Sequence, residues 1–377
     1  MKRDAGGSWW WALPVLPIIL LQAACSQSLN PASTPIGIGL IVPLTSGVPA
    51  AARSVVEGAE LAAEEVNAAG GVQSRRLTLA TVDDHGVPDD AVRLFEQLAG
   101  QGVVGIVGPV TDAPTIAASA VAERLKVVLI SPGATAVLPY GGHFVFRTAL
   151  PAKTQAQALA RYLTGDLRIQ RIAIIHDSNE YGTSVAMAFA EAATARGATI
   201  TSQRLYRDGD KDFTRHVKGT LEERAQLIFL AGYPDEGALV LRQFRSAGST
   251  LTVAGSDALY STDIPAWAGE AAEGLYVPAG FVPDTRLPVV RTFVTKYRAK
   301  YGREPSQYAA QAYDAVRLLV AVLRRAGDQR TKIRDGIAGL NRFPGVTGDL
   351  SFDRWGDPVR DVTIARLKGG TFAAVQR

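Results

Sequence analysis

Six short polar stretches of this chain carry the side chains best suited to chemistry. They are Pro43 to Gly47, Gly108 to Asp112, Ser131 to Thr135, Asp177 to Tyr181, Gly232-Tyr233 and Ser256-Asp257. Each follows an apolar run that reads as a strand. Free backbone N–H groups at the helix starts beyond such strands suit an anion such as a carboxylate, and the hydroxyls of Thr45, Ser46, Ser131 and Thr135 add donors. Asp112 and Asp257 can pair with a cation, while Tyr181 and Tyr233 can close apolar walls around a small molecule. Together these are the groups that a zwitterion such as an amino acid needs. The alternative is that each Ser, Thr and Asp caps its own helix and that Tyr181 packs on its own helix.

Catalytic patterns are missing from the sequence. It holds no G-x-S-x-G elbow, no H-E-x-x-H, no P-loop, and no nucleophile–base pair that would make a hydrolase. Gly37-Ile38-Gly39 lies inside an apolar run and lacks the third glycine of a dinucleotide fingerprint. His85, His143, His176 and His216 are too dispersed along the chain to suggest a metal site. His176, at a strand end, reads as a hydrogen-bonded structural residue rather than a base. The expectation is a binding protein, not an enzyme, with no cofactor and no metal.

The elements that must position these residues alternate regularly. Ile172 to Ile175 is a continuous apolar run, as for a central parallel strand buried on both faces. It stops at His176-Asp177, where Ser178 or Asn179 can cap a helix running from Tyr181 to Arg196. Ligands of open α/β sheets bind just beyond such strand ends. Upstream, strands are expected at 36–42, 77–82, 103–107 and 127–130. The helices between them carry Val55, Ala59, Ala62 and Val66, then Val92, Phe95 and Leu98, then residues 115–125. This order predicts a parallel, doubly wound sheet. The alternation restarts with a helix at 153–163, then strands at 171–175, 227–231 and 251–255 and a helix at 234–246. Two successive units imply two α/β lobes rather than one very wide sheet. Long amphipathic helices follow, with strand-like segments at 350–353 and 362–367.

At 377 residues, with 47% hydrophobic and 20% charged residues, the chain has room for two domains. Lys2-Arg3, the apolar stretch from Trp9 to Leu21 and the small residues Ala23-Ala24 form a secretory signal over residues 1–25, interrupted by Pro14 and Pro17. Leu21-Gln22-Ala23-Ala24-Cys25 resembles a lipobox, departing from it at Gln22; lipidation at Cys25, the single cysteine, would tie the chain to a membrane surface. Residues 26–35 read as a polar tether. An exported chain with one cysteine has no internal disulfide and relies on its core. The net charge of +4 is scattered among acids rather than gathered into a stripe, and loss of the signal lowers it to about +3, so no nucleic acid is expected.

Six segments resemble the branched-chain amino-acid receptors among type I periplasmic binding proteins, which serve ABC transporters. They are LIVPLTSG, EGAELAAEEVNAAGGV, ISPGAT, RIAIIHDSNEYG, AGYPDEGALVLRQFRSAG and EPSQYAAQAYDAV, in family order, and the likeness runs through the chain after residue 35. The resemblance implies two doubly wound parallel-sheet lobes joined by a three-strand hinge and closing like a clamshell. It places the crossings near residues 150, 280 and 346. The first lobe would then be 36–149 with 281–345, and the second 150–280 with 346–377. By the same resemblance, Gly133 and Thr135 hold a ligand carboxylate, Asp257 takes an ammonium, and Tyr181 and Tyr233 come from the far lobe.

Three departures accompany the likeness. Asp112 stands where the family often has a Ser on the ligand's polar head, and a carboxylate there would repel a ligand carboxylate unless it faces the ammonium or solvent. Ala51 stands near a family Tyr, which leaves the pocket roomier. Gly86 and Thr111 fall where the family disulfide would be. The resulting expectation is an extracytoplasmic solute-binding protein for a small amino acid or related amide, in the periplasm or at the cell surface, read by an ABC permease. Its candidate site is Ser46, Asp112, Ser131, Gly133, Thr135, Tyr181, Tyr233 and Asp257. The rival expectation is a lipoprotein sensor or scaffold that uses the same two lobes to engage a protein partner.

Overall fold

The computed structural model of the protein describes residues 34–283 and 286–375. The expected signal peptide, nearly all of the tether and Cys25 lie outside the described residues. The first lobe starts with β1 (Ile36–Val42), α1 (Pro49–Ala68), β2 (Leu77–Asp83), α2 (Pro88–Gly100), β3 (Gly105–Val107), α3 (Asp112–Leu125), β4 (Val128–Ser131) and β5 (Val145–Arg147). The strands form one parallel sheet in the order β2-β1-β3-β4-β5. Alternation along the strands explains the doubly wound build: Ile38, Leu40, Val107 and Ile130 face one buried cluster, and Ile41, Ile106 and Leu129 the opposite one. In α1, Val55, Ala59, Ala62 and Val66 form the buried stripe, Pro49 opens the first turn, and Gly70 and Gly71 at φ +91° and +78° end it.

The second lobe contains α4 (Ala152–Arg161), β6 (Arg171–Asp177), α5 (Glu180–Thr194), β7 (Thr199–Tyr206), α6 (Thr214–Glu222), β8 (Leu227–Ala231), α7 (Pro234–Ser246), β9 (Thr252–Gly255), α8 (Asp263–Ala268) and β10 (Tyr276–Ala279). The chain then returns to the first lobe through α9 (Pro288–Tyr301), α10 (Gln307–Ala326), α11 (Arg330–Ala338) and the hairpin β11 (Phe343–Gly345) and β12 (Gly348–Leu350). It ends in the second with β13 (Thr363–Lys368) and β14 (Thr371–Ala374). The second sheet runs β14-β13-β10-β9-β8-β6-β7. Its central part is parallel, as expected, but β13 and β14 add an antiparallel edge.

Two elements between 197 and 226 escape the sequence reading. β7 is an edge strand whose residues are mostly half-exposed or exposed, with Leu205 58% exposed, so it lacks the apolar run that marks a central strand. α6 buries only Val217 and Thr220. The short strands β5 and β10, also outside that reading, are three and four residues long.

The last passage between lobes lies later than the expected 346. Val346 and Leu350 belong to the core of the first lobe, Phe352 packs edge-on against Phe146 at 5.4 Å, and Asp357 pairs with Arg147 at 2.5 Å. Val362 and Ile364 are the next residues in the core of the second lobe. Arg360, in this passage, donates from Nη1 to the carbonyls of Gly280 (2.6 Å) and Thr347 (2.7 Å) and from Nη2 to that of Thr148 (3.1 Å). One guanidinium thus joins the backbone of all three passages. Asp314 of α10 lies nearby and accepts from Val346 N (2.8 Å) and from Thr347 N (2.9 Å) and Oγ1 (2.7 Å).

Candidate functional site

On the first lobe, the turn from β3 into α3 sets the geometry. Gly108 sits at φ +104°, and a Cβ there would lie 2.1 Å from the Ile41 carbonyl oxygen, so only glycine lets β1 and this turn approach. Asp112 is then the first residue of α3, 2% exposed, where a negative charge suits the helix dipole. Its Oδ1 accepts from Thr135 N at 2.6 Å and Ala136 N at 3.1 Å. Its Oδ2 is buried and has no hydrogen-bond partner among the described residues. Burial pushes the Asp112 carboxyl up, opposed by the N–H groups of Ala136 and Thr135 and by the charge of Arg147.

The loop that carries Ser131, Gly133 and Thr135 is satisfied from within. Ser131 is fully buried; its Oγ donates to Pro109 O at 2.7 Å and accepts from Ala134 N at 3.0 Å and, more weakly, from Gly133 N at 3.4 Å. A Cβ on Gly133 would lie 2.5 Å from Val110 O, so the loop and the β3–α3 turn touch backbone to backbone. Behind the loop, Arg147 donates from Nη1 to Ala136 O at 2.6 Å and Ala134 O at 3.2 Å. The Thr135 hydroxyl is buried without a described partner.

On the second lobe, Asn179 accepts from Gly182 N at 2.8 Å and caps α5, which fixes Tyr181 in the first helical turn. The Tyr181 hydroxyl donates to Asp257 Oδ1 at 2.8 Å and accepts from Ala258 N at 3.1 Å. Its ring stacks on Tyr233, with centroids 5.0 Å apart and planes 18° off parallel. Burial raises Asp257 to about 6; the Tyr181 hydroxyl and the Gln155 amide oppose the rise, and the charge of Asp112 adds to it. Burial likewise lifts the Tyr181 hydroxyl, then the charge of Asp257; for Tyr233 the order is burial, then Asp112.

These influences cross the boundary between lobes, because Asp112 belongs to the first and Tyr233 and Asp257 to the second. Tyr308 and Gln307, at the start of α10, complete the junction. Burial raises Tyr308, followed by the charges of Asp257 and Asp112, and Gln307 Nε2 donates to Asp257 O at 2.9 Å. The structure therefore gathers Asp112, Thr135, Tyr181, Tyr233 and Asp257, with Ser131 and Gly133 in the supporting loop. Ser46 is not among them: it is exposed and hydrogen-bonds to the His85 carbonyl, beside the Thr45–Asp83 pair. It ties its turn to the His85 turn and caps no helix. His176 is buried between the Asp177 carbonyl (2.8 Å) and the Gln203 amide (3.2 Å). Sequence reasoning missed Gln155, Gln307 and Tyr308. The last two lie in the EPSQYAAQAYDAV segment, directly after the helix-capping Ser306.

Among the described residues no group of His, Cys, Asp and Glu could hold a metal ion, and no helix is long and apolar enough to cross a membrane. Comparison with known proteins gives one consistent match. The family described as periplasmic binding protein covers residues 35–371. Leu/Ile/Val-binding protein homolog 3 of Brucella melitensis is 31% identical over 327 residues, covering 85% of this chain and 88% of its own. The leucine-, isoleucine-, valine-, threonine-, and alanine-binding protein of Pseudomonas aeruginosa is 28% identical over 335 residues, covering 88% and 89%. Among solved structures, the leucine binding protein LivK of Thermotoga maritima superposes with a TM-score of 0.85 at 29% identity, covering 90% of this chain and 98% of that one. LivJ of Streptococcus pneumoniae, in complex with isoleucine, gives 0.83 at 28% identity, covering 90% and 99%. The two lobes, the paired sheets and these matches across most of both chains agree: the chain belongs to the periplasmic binding protein family.

Proposed function

We propose that this protein is the extracytoplasmic solute-binding component of an ABC importer, capturing a small amino acid or related amide between its lobes. The observation that carries the reading is the meeting of the buried Asp257 and Tyr181 and half-buried Tyr233 from one lobe with the buried Asp112 and half-buried Tyr308 from the other. Relatives named for leucine, isoleucine and valine support an amino-acid-like solute. Solute settles first on the lobe that bears Gly133 and Thr135, and closure then adds Tyr181, Tyr233 and Asp257. The closed form is what a membrane permease reads. Acylated Cys25 holds the mature chain at the membrane, and no bond of the solute is broken.

Isothermal calorimetry and small-angle scattering test this on the mature chain with L-leucine, L-alanine and their carboxamides. Binding of at least one, with a smaller radius of gyration, is expected. Asp257→Ala should remove most of the affinity, because a buried ammonium left unpaired costs several kcal/mol. Absence of binding by all four, or binding that Asp257→Ala leaves unchanged, overturns the reading.

A further inference from the structure

We infer that this cleft selects solutes without a free carboxylate, because Asp112 already occupies the anion site of the first lobe. The inference rests on solute capture between the lobes, as proposed above, and narrows it to one chemical class. Four successive N–H groups line the loop after β4. Those of Gly133 and Ala134 go to Ser131 Oγ, and those of Thr135 and Ala136 go to Asp112 Oδ1. A carboxylate arriving there finds these donors taken, and the group that takes the last two is itself an anion.

The cation beside this anion is already engaged. Arg147, the positive group that acts on Asp112, is 3% exposed and committed to Asp357 and to the carbonyls of Ala134 and Ala136. The strongest influences on Asp257 and Tyr233 come from burial, Asp112, Tyr308, Asp177, Tyr181 and Gln155, none of them cationic. Asp112 Oδ2, buried and unpartnered, is an acceptor waiting for a donor. Asp257 faces the same junction from the other side. Two carboxylates across one cleft call for a solute that brings N–H donors to both: an ammonium or amidinium at one end, a carboxamide or second amine at the other.

Matched pairs test this in the mature protein at neutral pH: L-leucine against L-leucinamide, and L-alanine against L-alaninamide, by calorimetry. Each amide should bind about 100-fold tighter than its acid. Asp112→Ser frees the N–H groups of Thr135 and Ala136 and should reverse the preference. Asp112→Asn keeps an oxygen on those N–H groups, removes the charge and puts an NH2 donor where Oδ2 was, and should weaken the amides while improving binding of the acids. That variant, with its near-identical shape, guards against misfolding of the serine one. Wild-type protein that binds leucine or alanine as tightly as the amides overturns the inference and leaves solute capture standing. If neither acids nor amides bind the wild type or either variant, the capture reading fails and takes the inference with it.

Discussion

The two walls of the cleft handle buried charge in different ways. On the first lobe, Asp112 is held by two backbone N–H groups of its own lobe, with Arg147 buttressing the same loop from behind. On that wall Oδ1 is satisfied before any solute arrives, and Oδ2 is left without a partner among the described residues. On the second lobe, Asp257 is held by the Tyr181 hydroxyl and lies against the Gln155 amide, neutral groups that stabilise an anion less than backbone N–H pairs and a guanidinium do. The first wall reads as rigid and preorganised, while the second keeps an acid whose charge is only partly compensated. A cleft with one half-satisfied and one under-compensated carboxylate is matched by a solute that carries positive charge or donors to both.

The contrast can be broken most forcefully at Arg147. Arg147→Ala leaves Asp357 without its partner and the carbonyls of Ala134 and Ala136 without donors, and should cost about 3–5 kcal/mol in urea denaturation. A loss below about 1 kcal/mol would show that the first wall does not depend on this buttress.

Next comes a pH test of the second wall. Asp257 is raised from 3.8 to about 6, so the folded state binds the extra proton between those values. Its contribution to stability is full below 3.8 and is lost as pH rises through 6. Asp257→Asn removes that loss. Its stability relative to the native chain should therefore improve by about 3 kcal/mol between acid and neutral pH, followed by thermal melts. A difference that stays flat with pH would show that the fold fully compensates the Asp257 charge.

Tyr181→Phe should cost about 1–3 kcal/mol, because Asp257 loses its donor and Ala258 N its acceptor, and it should move the native pH dependence further up. The smallest effect is expected at Asn179→Ala, where losing the cap of α5 costs about 1 kcal/mol. It should also loosen Tyr181, which hydrogen exchange across 178–183 would register. Full protection there would separate the cap from the cleft.

Much of this was legible along the chain. Apolar runs ending in polar turns located β1, β3, β6, β8 and β9, and the turns after the last four yielded Asp112, Tyr181, Tyr233 and Asp257. Ser46 satisfied the same rule, yet it only closes a turn with His85. A strand end announces that a side chain can reach a cleft, not that it does. Gln307 and Tyr308 gave no such signal, because they begin a helix whose other residues are read as core. The edge strand β7 was hidden because exposure removes the apolar run.

The sequence by itself determined the alternating α/β order, the division into two lobes and most of the residues at the strand ends, since burial periodicity and turn chemistry are local properties. Only the tertiary structure decided what those residues do to each other. That Asp112 points into the N–H groups of Thr135 and Ala136, and that Arg360 ties Thr148, Gly280 and Thr347 together, depends on segments up to some two hundred residues apart meeting in space. Charge compensation inside a low-dielectric cleft is set by such distances, and no spacing along the chain encodes them.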